Sequence, residues 1–396
     1  MASFAYLFER FPSLTQTFCY REVGEMARQG AAPPVFSIRR PADPPRECPA
    51  AIAEAVTYLP EADALASEMK TIRMVGRYPW RVLQTIHRWG KRPGKGRLTA
   101  AAWLGPKLKA RGVTHVHTHF AGMGARTAYW LKQFYGITYS FTGHANDLFC
   151  EADQPVGLGD LVREASAVVT VADYSLGWLQ REFPAHAAKM HRVYNGIETA
   201  EFAPPRPDPA APPLIVSVGR CIEKKGYADL IDACALLREG GARFECVIVG
   251  GGPLEEALRG RIAERGLEAT VRLTGALPQS EVRCWLSRAS LFALACATEA
   301  DGGKDNLPTV IAEAMACGLP VVSTRLAGVP EMVAEGATGL LVEEKRPEEL
   351  AGALRKLLGD PEQRLRLGRR GKEIADERFA LSVTARQLRE LLEALP

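Results

Sequence analysis

Asp305 and Glu313 stand eight residues apart in the run Asp305-Asn306-Leu307-Pro308-Thr309-Val310-Ile311-Ala312-Glu313, which continues to Gly318 and an apolar stretch, Pro320 to Ser323. Pro308 reads as lying one or two residues inside a helix start, Asp305 or Asn306 as its cap and Gly318 as its end. The first-turn amides of such a helix, with its dipole, make a seat for an anion. At 1.5 Å per residue the two carboxylates would lie roughly 12 Å apart along the axis, the span of a diphosphate flanked by hydroxylated rings. The same pattern is also that of an ordinary capped helix with a solvated acid in its middle.

Val218-Gly219-Arg220-Cys221-Ile222-Glu223-Lys224-Lys225-Gly226 closes a strand and opens a helix. Gly219 leaves room for close approach of a ligand, and Arg220 and Lys225 bracket the turn where a pyrophosphate would sit. Cations so placed neutralise the charge that develops on a leaving group. Val249-Gly250-Gly251-Gly252-Pro253 is a second strand-ending glycine loop, read equally as a tight turn or as a ligand contact through Gly251. It fails as a dinucleotide fingerprint because Glu255 occupies the third glycine position, which argues against a nicotinamide-dependent oxidoreductase.

Thr142-Gly143-His144-Ala145-Asn146-Asp147 sets a histidine at the carboxyl end of a strand, with Asp147 either orienting it or binding a hydroxyl. His115, His117 and His119 alternate along one strand and share a face. Side chains two apart on a strand do not converge readily on one ion, so these read as strand residues, His119 reaching a ligand cleft, and no metal site is expected. Phe11-Pro12-Ser13-Leu14-Thr15-Gln16-Thr17-Phe18 follows the first strand with hydroxyls and an amide. Thr15, Gln16 and Thr17 are candidates for contacting donor or acceptor, and Thr15 is equally a helix cap.

The elements that must position these residues alternate strand and helix. In the first half strands are expected at Ala2 to Phe8, Pro34 to Ile38, Val56 to Leu59, His115 to Phe120, Thr138 to Thr142, Ala167 to Val171 and His191 to Tyr194. Helices are expected at Thr15 to Gln29, Met123 to Phe134, Leu161 to Ser166 and Ser175 to Phe183. Residues 203–213 are dense in proline and read as a linker. The alternation then restarts at Leu214 and runs to helices at Pro347 to Leu358, Pro361 to Glu377 and Phe379 to Leu395. The expected class is α/β, two doubly wound Rossmann-like domains with ligand at the carboxyl ends of their strands, in a central cleft.

These motifs resemble those of the family 4 retaining glycosyltransferases, which have the GT-B fold. The E-x(7)-E signature covers Asp305 to Glu313, and the G-R-x(4)-K-G loop covers Gly219 to Gly226. The Phe11 to Phe18 stretch resembles the opening of exopolysaccharide (colanic-acid-type) transferases. Two departures stand out: Asp305 is a methylene shorter than the usual Glu, and Asn306 replaces a frequent Gly. The resemblance implies domains at 1–203 and 204–378, with 379–396 packing back on the first. It implies a metal-independent, retaining, hexosyltransferase-like enzyme moving a sugar from a nucleotide diphosphate sugar to a glycan or lipid-linked acceptor, without a cofactor. Asp305 would bind hydroxyls of the sugar, Glu313 the ribose, and Arg220 and Lys225 the diphosphate. His144 would sit beside the reacting carbon. Gly219, Gly251, Asn306, Leu307, Pro308 and Thr309 complete the donor side, while Thr15, Gln16, Thr17, His119 and Asp147 are acceptor or cleft candidates. The alternative is a non-catalytic sugar-nucleotide-binding or scaffold component of a polysaccharide assembly complex.

Composition bounds the rest. With 50 Lys+Arg against 46 Asp+Glu among 396 residues, the charge of +4 does not suggest a nucleic-acid partner. The segment 70–111 holds twelve Lys or Arg and no acid, interleaved with Tyr78, Trp80, Trp89 and Trp103. It reads either as a face for an anionic membrane, each charge contributing about 1 kcal/mol near the surface, or as a solvated basic face with tryptophans in the core. The nine cysteines show no pairing or zinc spacing and suit a reduced, cytoplasmic setting, peripheral on the inner membrane face. No run is apolar and long enough to span a membrane.

Overall fold

The computed structural model describes residues 3–395 apart from 14–15, 44, 46, 62, 69–79, 91, 150–153 and 209. Its chain divides into two compact units: Met1–Val171 with Leu176–Val193 and Thr384–Pro396, and Ala172–Ser175 with Tyr194–Val383. The division falls at Val193/Tyr194, ahead of the proline-dense stretch where the sequence suggests it. The cause is local. Ile197 exchanges backbone hydrogen bonds with Phe379 and Leu381, which commits residues before the linker to the second unit.

In the first unit the described strands are β1 (Ser3–Arg10), β2 (Val35–Arg39), β3 (Thr57–Tyr58), β4 (Val113–His119), β5 (Thr138–Gly143), β6 (Ala167–Thr170) and β7 (Met190–Arg192). They form a parallel sheet in the order β3-β2-β1-β4-β5-β6-β7. Order reverses between β1 and β4, so their carboxyl ends diverge and leave a crevice. One face of the sheet packs Leu7, Val116, Tyr139 and Phe141 against helices Lys95–Ala110 and Met123–Tyr135. The other packs Tyr6, Phe8, Phe11, Cys19 and Met26, and here Leu388 and Leu392 of the last helix, Leu381–Glu393, close the core.

The second unit holds β8 (Leu214–Val218), β9 (Glu245–Val249), β10 (Val271–Leu273), β11 (Leu291–Leu294), β12 (Val321–Thr324) and β13 (Gly339–Val342). Its described strands are also all parallel, in the order β10-β9-β8-β11-β12-β13, with the reversal between β8 and β11. Both sheets are of Rossmann-like type, as the strand and helix alternation predicts. β13 and the short helix Ala50–Glu54 are additions that the sequence pattern does not flag.

Two helix readings need correction. The helix expected from Pro361 to Glu377 stops at Ile374, passes through a wider turn at Ala375–Phe379, and restarts at Leu381. The helix expected to open around Asp305 to Pro308 begins at Thr309, with Pro308 in the extended flanking position and no side chain capping it. Asp305 and Asn306 therefore cap nothing. Because residues 305–308 are not helical, helix geometry does not set the Asp305 to Glu313 separation either.

Candidate functional site

In the second unit the reversal point gathers the motif residues. After β8, Gly219 turns the chain with φ of 155°, and Lys225 and Gly226 end a short turn packed on the end of β11. Gly226 has φ of 61°, and a Cβ there would lie 1.7 Å from the carbonyl oxygen of Ala295. Only glycine allows so close an approach of two backbones. Lys225 Nζ donates to Asp305 Oδ2 at 2.5 Å, and Lys224 Nζ lies 3.9 Å from Oδ1 of the same carboxylate. Both lysine side chains and Asp305 are largely covered, at 12%, 9% and 17% exposure. Burial by itself would lower the Lys225 ammonium; Asp305, then Cys296, outweigh it and hold it above its ordinary value. Lys225 thus stays charged. Arg220 is exposed and near enough for its own charge to oppose that of Lys225.

Gly251, expected on the donor side, instead accepts from the Cys221 amide through its carbonyl at 2.9 Å. Its neighbour Gly250 abuts the Gly219 carbonyl so closely that a Cβ would lie 1.8 Å from that oxygen. The glycine loop braces the turn that carries Arg220. Asn306 is 3% exposed and donates Nδ2 to Ser175 Oγ at 2.8 Å, while Ser175 donates to the Ala172 carbonyl. Since the serine hydrogen is spent, the asparagine must be the donor, and its Oδ1 is left buried without a partner. Leu307 and Pro308 are buried and Thr309 is half-buried. Glu313 lies within the helix Thr309–Ala316 at 6% exposure, and with burial it helps push the Cys317 thiol up to about 12.

In the first unit His115, His117 and His119 share one face of β4 and are all buried. Their ring nitrogens meet hydroxyls on the neighbouring strand: His115 meets Thr138 and Ser140, and His117 meets Ser140 and Thr142, at 2.8 to 3.1 Å. Among the described residues no group of His, Cys, Asp and Glu is arranged to hold a metal. Burial lowers His115 to about 4 and lowers His117 and His144 well below the usual imidazole range, so these rings are neutral near pH 7.

His119 is joined to a side chain that sequence reasoning missed. Its Nε2 lies 2.9 Å from Glu22 Oε1, which also accepts from the Tyr6 hydroxyl at 2.6 Å, and its Nδ1 lies 3.3 Å from His144 Nε2. A carboxylate only accepts, so His119 donates from Nε2, and its Nδ1 shares a single hydrogen with His144 Nε2. His144 is left with Nδ1 for a further partner. Its ring is held by Phe18 at 5.1 Å and Phe120 at 4.4 Å, and Phe120 itself is bent into left-handed backbone with φ of 70°. A strained residue of this size, costing about 1–3 kcal/mol, persists where its surroundings fix it. Here the Phe120 amide donates to the Thr142 carbonyl at 2.7 Å.

Asp147 does not reach the His144 ring. It accepts from the backbone amides of His144 at 3.1 Å and Ala121 at 2.5 Å, tying the end of β5 to the end of β4. Burial raises it to about 6, with those amide bonds working against the rise. Gln16 stands at the start of helix Thr17–Arg28, and with His119 it lines a pocket of about 520 Å³ at the carboxyl ends of β1 and β4. Thr17 is half-buried in the first turn of that helix, and Thr15 lies outside the described residues.

In the basic segment, residues 70–79 and 91 lie outside the described residues, Tyr78 among them. The remainder forms helices Trp80–Trp89 and Lys95–Ala110. Trp103 is buried and donates to Glu68, and Trp89 packs edge-on against Trp130, so both serve packing. Trp80 is 71% exposed. No helix among the described residues is long and apolar enough to cross a membrane.

Comparison with known proteins agrees with this geometry. The chain is similar to WcaL of Escherichia coli (strain K12), named for colanic acid biosynthesis, at 36% identity over 66% of this chain and 63% of that one. It is similar to the amylovoran biosynthesis glycosyltransferase AmsK of Erwinia amylovora at 37% identity over 53% of this chain and 52% of that one. The matches thus span less than two thirds of either relative. Its fold matches a glycosyltransferase from Rickettsia africae ESF-5 with a TM-score of 0.73 at 16% identity, covering 98% of this chain and 99% of that one. It also matches Anabaena Alr3699/HepE, solved in complex with UDP, with a TM-score of 0.72 at 17% identity over 100% of both chains. The family model described as Glycosyltransferase Family 4 matches residues 15–201, and that described as Glycosyl transferases group 1 matches residues 199–374. With two parallel Rossmann-like units and these family models matching along its length, the chain belongs to the family 4 glycosyltransferases of GT-B fold.

Proposed function

We propose that this chain transfers a sugar, with retention at the anomeric carbon, from a nucleotide diphosphate sugar to an acceptor hydroxyl in the synthesis of an exopolysaccharide or another cell-surface glycan. The observation that carries the reading is the buried contact of Lys225 with Asp305, at the reversal point of the second sheet and just ahead of the uncapped start of helix Thr309–Ala316. The names of WcaL and AmsK, and the UDP-glucose bound to HepE, support it.

On this reading Lys225 and Arg220 take the charge of the departing diphosphate, assisted by the free amides of that helix start. Two cations and a helix end do the work that a divalent ion does elsewhere, which makes the reaction metal-independent. Asp305 binds a sugar hydroxyl and Glu313 the ribose. The acceptor hydroxyl attacks from the side the diphosphate leaves, losing its proton to a diphosphate oxygen, so no protein base is required. His144 meets a sugar hydroxyl through Nδ1, its other nitrogen being committed to His119. A lipid-linked acceptor is met at an anionic membrane surface, to which the exposed Trp80 and the nearby Arg88 and Arg92 offer an aromatic, basic face.

A thermal-shift panel of UDP-, GDP- and ADP-sugars, followed by transfer assays in chelator with NMR of the product anomer, tests each part. One donor family should stabilise the protein and turn over with its anomeric configuration kept. An inverted product sinks retention, loss of activity in chelator sinks metal independence, and binding without turnover favours the non-catalytic alternative.

A further inference from the structure

Arg10 and Arg39 end adjacent parallel strands and are direct register partners. Like charges set opposite one another on neighbouring strands destabilise a sheet, so this pairing is not explained by the stability of the fold. The offset is partial. Glu9 Oε1 lies 3.7 Å from Arg39 with both side chains about half exposed, and no partner of Arg10 is seen among the described residues. Both arginines line the 520 Å³ pocket beside the reversal point of the first sheet, together with Glu9, Ser13, Gln16, Phe8 and Phe120. Its volume is that of an ordinary small-ligand site. Arg97 is near enough to Glu9 and Arg39 to feel their charges: burial lowers it, Glu9 opposes this, and Arg39 and Arg126 add to it.

The pocket therefore sets two guanidinium forks against the single carboxylate of Glu9, with a hydroxyl, an amide and aromatic walls. A guanidinium fork matches the two oxygens of a carboxylate or phosphate, and an aromatic wall suits the apolar face of a pyranose ring. We infer that this pocket binds the anionic group, carboxylate or phosphate, of an acidic saccharide acceptor, with Arg10 and Arg39 as the residues that select for it. The inference rests on the glycosyltransferase reading and adds to it the charge of the acceptor.

The test is ligand-observed NMR titration of the full chain with methyl β-D-glucuronide, glucose 6-phosphate and methyl β-D-glucoside, repeated in Arg10→Gln, Arg39→Gln and the double variant. At least one acidic probe should bind about tenfold more tightly than the neutral glucoside, as one charge-assisted bidentate contact provides. Preference for the glucuronide identifies a carboxylate, and preference for the phosphate ester a phosphate. Most of that advantage should vanish in the double variant, while its affinity for nucleoside diphosphates is kept and its melting temperature does not fall, since a like-charge pair has been removed. Should the double variant not fold, the two single variants, each losing part of the advantage, carry the same readout. Equal affinity for acidic and neutral probes, or an acid preference that survives both substitutions, overturns the inference. A protein that prefers the acid yet binds none of the donors upholds the pocket and removes the glycosyltransferase reading. One that binds a donor and shows no acid preference removes the pocket alone.

Discussion

The two reversal points have the same topology and opposite electrostatics. In the second sheet the cations are already answered: Lys225 and Lys224 converge on Asp305 in a covered site, and only Arg220 faces solvent. In the first sheet His115 and His117 are neutral and hydroxyl-bonded inside, and Arg10 and Arg39 stand side by side at the rim with Glu9 only 3.7 Å from Arg39. A cation held by an internal carboxylate is ordered before any ligand arrives and can exchange part of that contact for a phosphate oxygen. An exposed arginine gives long-range attraction and less order. On the proposed reading, two sheets of the same type supply a preset clamp in the second unit and a more open field in the first.

The comparison is broken most directly at Lys225. Lys225→Met keeps the length of the stem and removes the ammonium, leaving Asp305 with Lys224 alone. Turnover should fall about a hundredfold or more, as expected when a group facing a developing charge is lost. A rate within about threefold of the parent protein would mean that the preset clamp is not part of leaving-group departure.

A smaller effect is expected from Glu22→Gln. The amide can donate where the carboxylate only accepts, which lets the His119 and His144 tautomers scramble. We expect kcat to drop about tenfold with the donor KM kept, and the pH–rate profile to shift. Tyr6, Cys19, His117, His119, His144 and Asp147 are the other titratable groups around this relay. An unmoved profile with normal stability would confine Glu22 to packing.

A third effect, on stability, sharpens the contrast of buried against exposed charge. His115 is held near 4 by burial against an ordinary 6.5. Between those values the unfolded chain takes up a proton that the folded chain refuses, so stability is whole above about pH 6.5 and is lost as pH falls toward 4. His117 and His144 act in the same direction; Asp147, raised to about 6, acts against them because its folded form binds the proton first. At pH 5 His115 alone should cost on the order of 2 kcal/mol relative to pH 7. Urea unfolding at the two pH values measures this, and His115→Gln should flatten the difference; a slope that persists unchanged sinks the assignment.

How much of this could be read in advance follows from the distance over which each feature is written. The strands and helices are local patterns, and the alternation from Ser3 to Val342 yields both sheets, with β13, the helices Trp80–Trp89 and Lys95–Ala110 of the basic segment and some short helices unannounced. The glycine turns were legible as turns, yet whether Gly251 touches a ligand or braces Cys221 depends on a loop some thirty residues away. The helix start was misjudged because Pro308 is tolerated both just inside a helix and at its flank, and Asp305 had a stronger partner than the helix amides. Glu22 reaching His119, Lys225 reaching Asp305 and Arg10 beside Arg39 are contacts between segments far apart in the chain, made by helix packing, loop approach and strand register in turn. No spacing rule in one sequence encodes them.

The last helix has a consequence for how the molecule is made. Leu388 and Leu392 fill the core beside Tyr6, Phe8 and Met26, which are translated more than three hundred residues earlier. The first unit must therefore wait, with an apolar gap open to water, until residues 381–393 have been made. A nascent chain interrupted after residue 378 would expose that gap to chaperones and to other unfinished copies of itself.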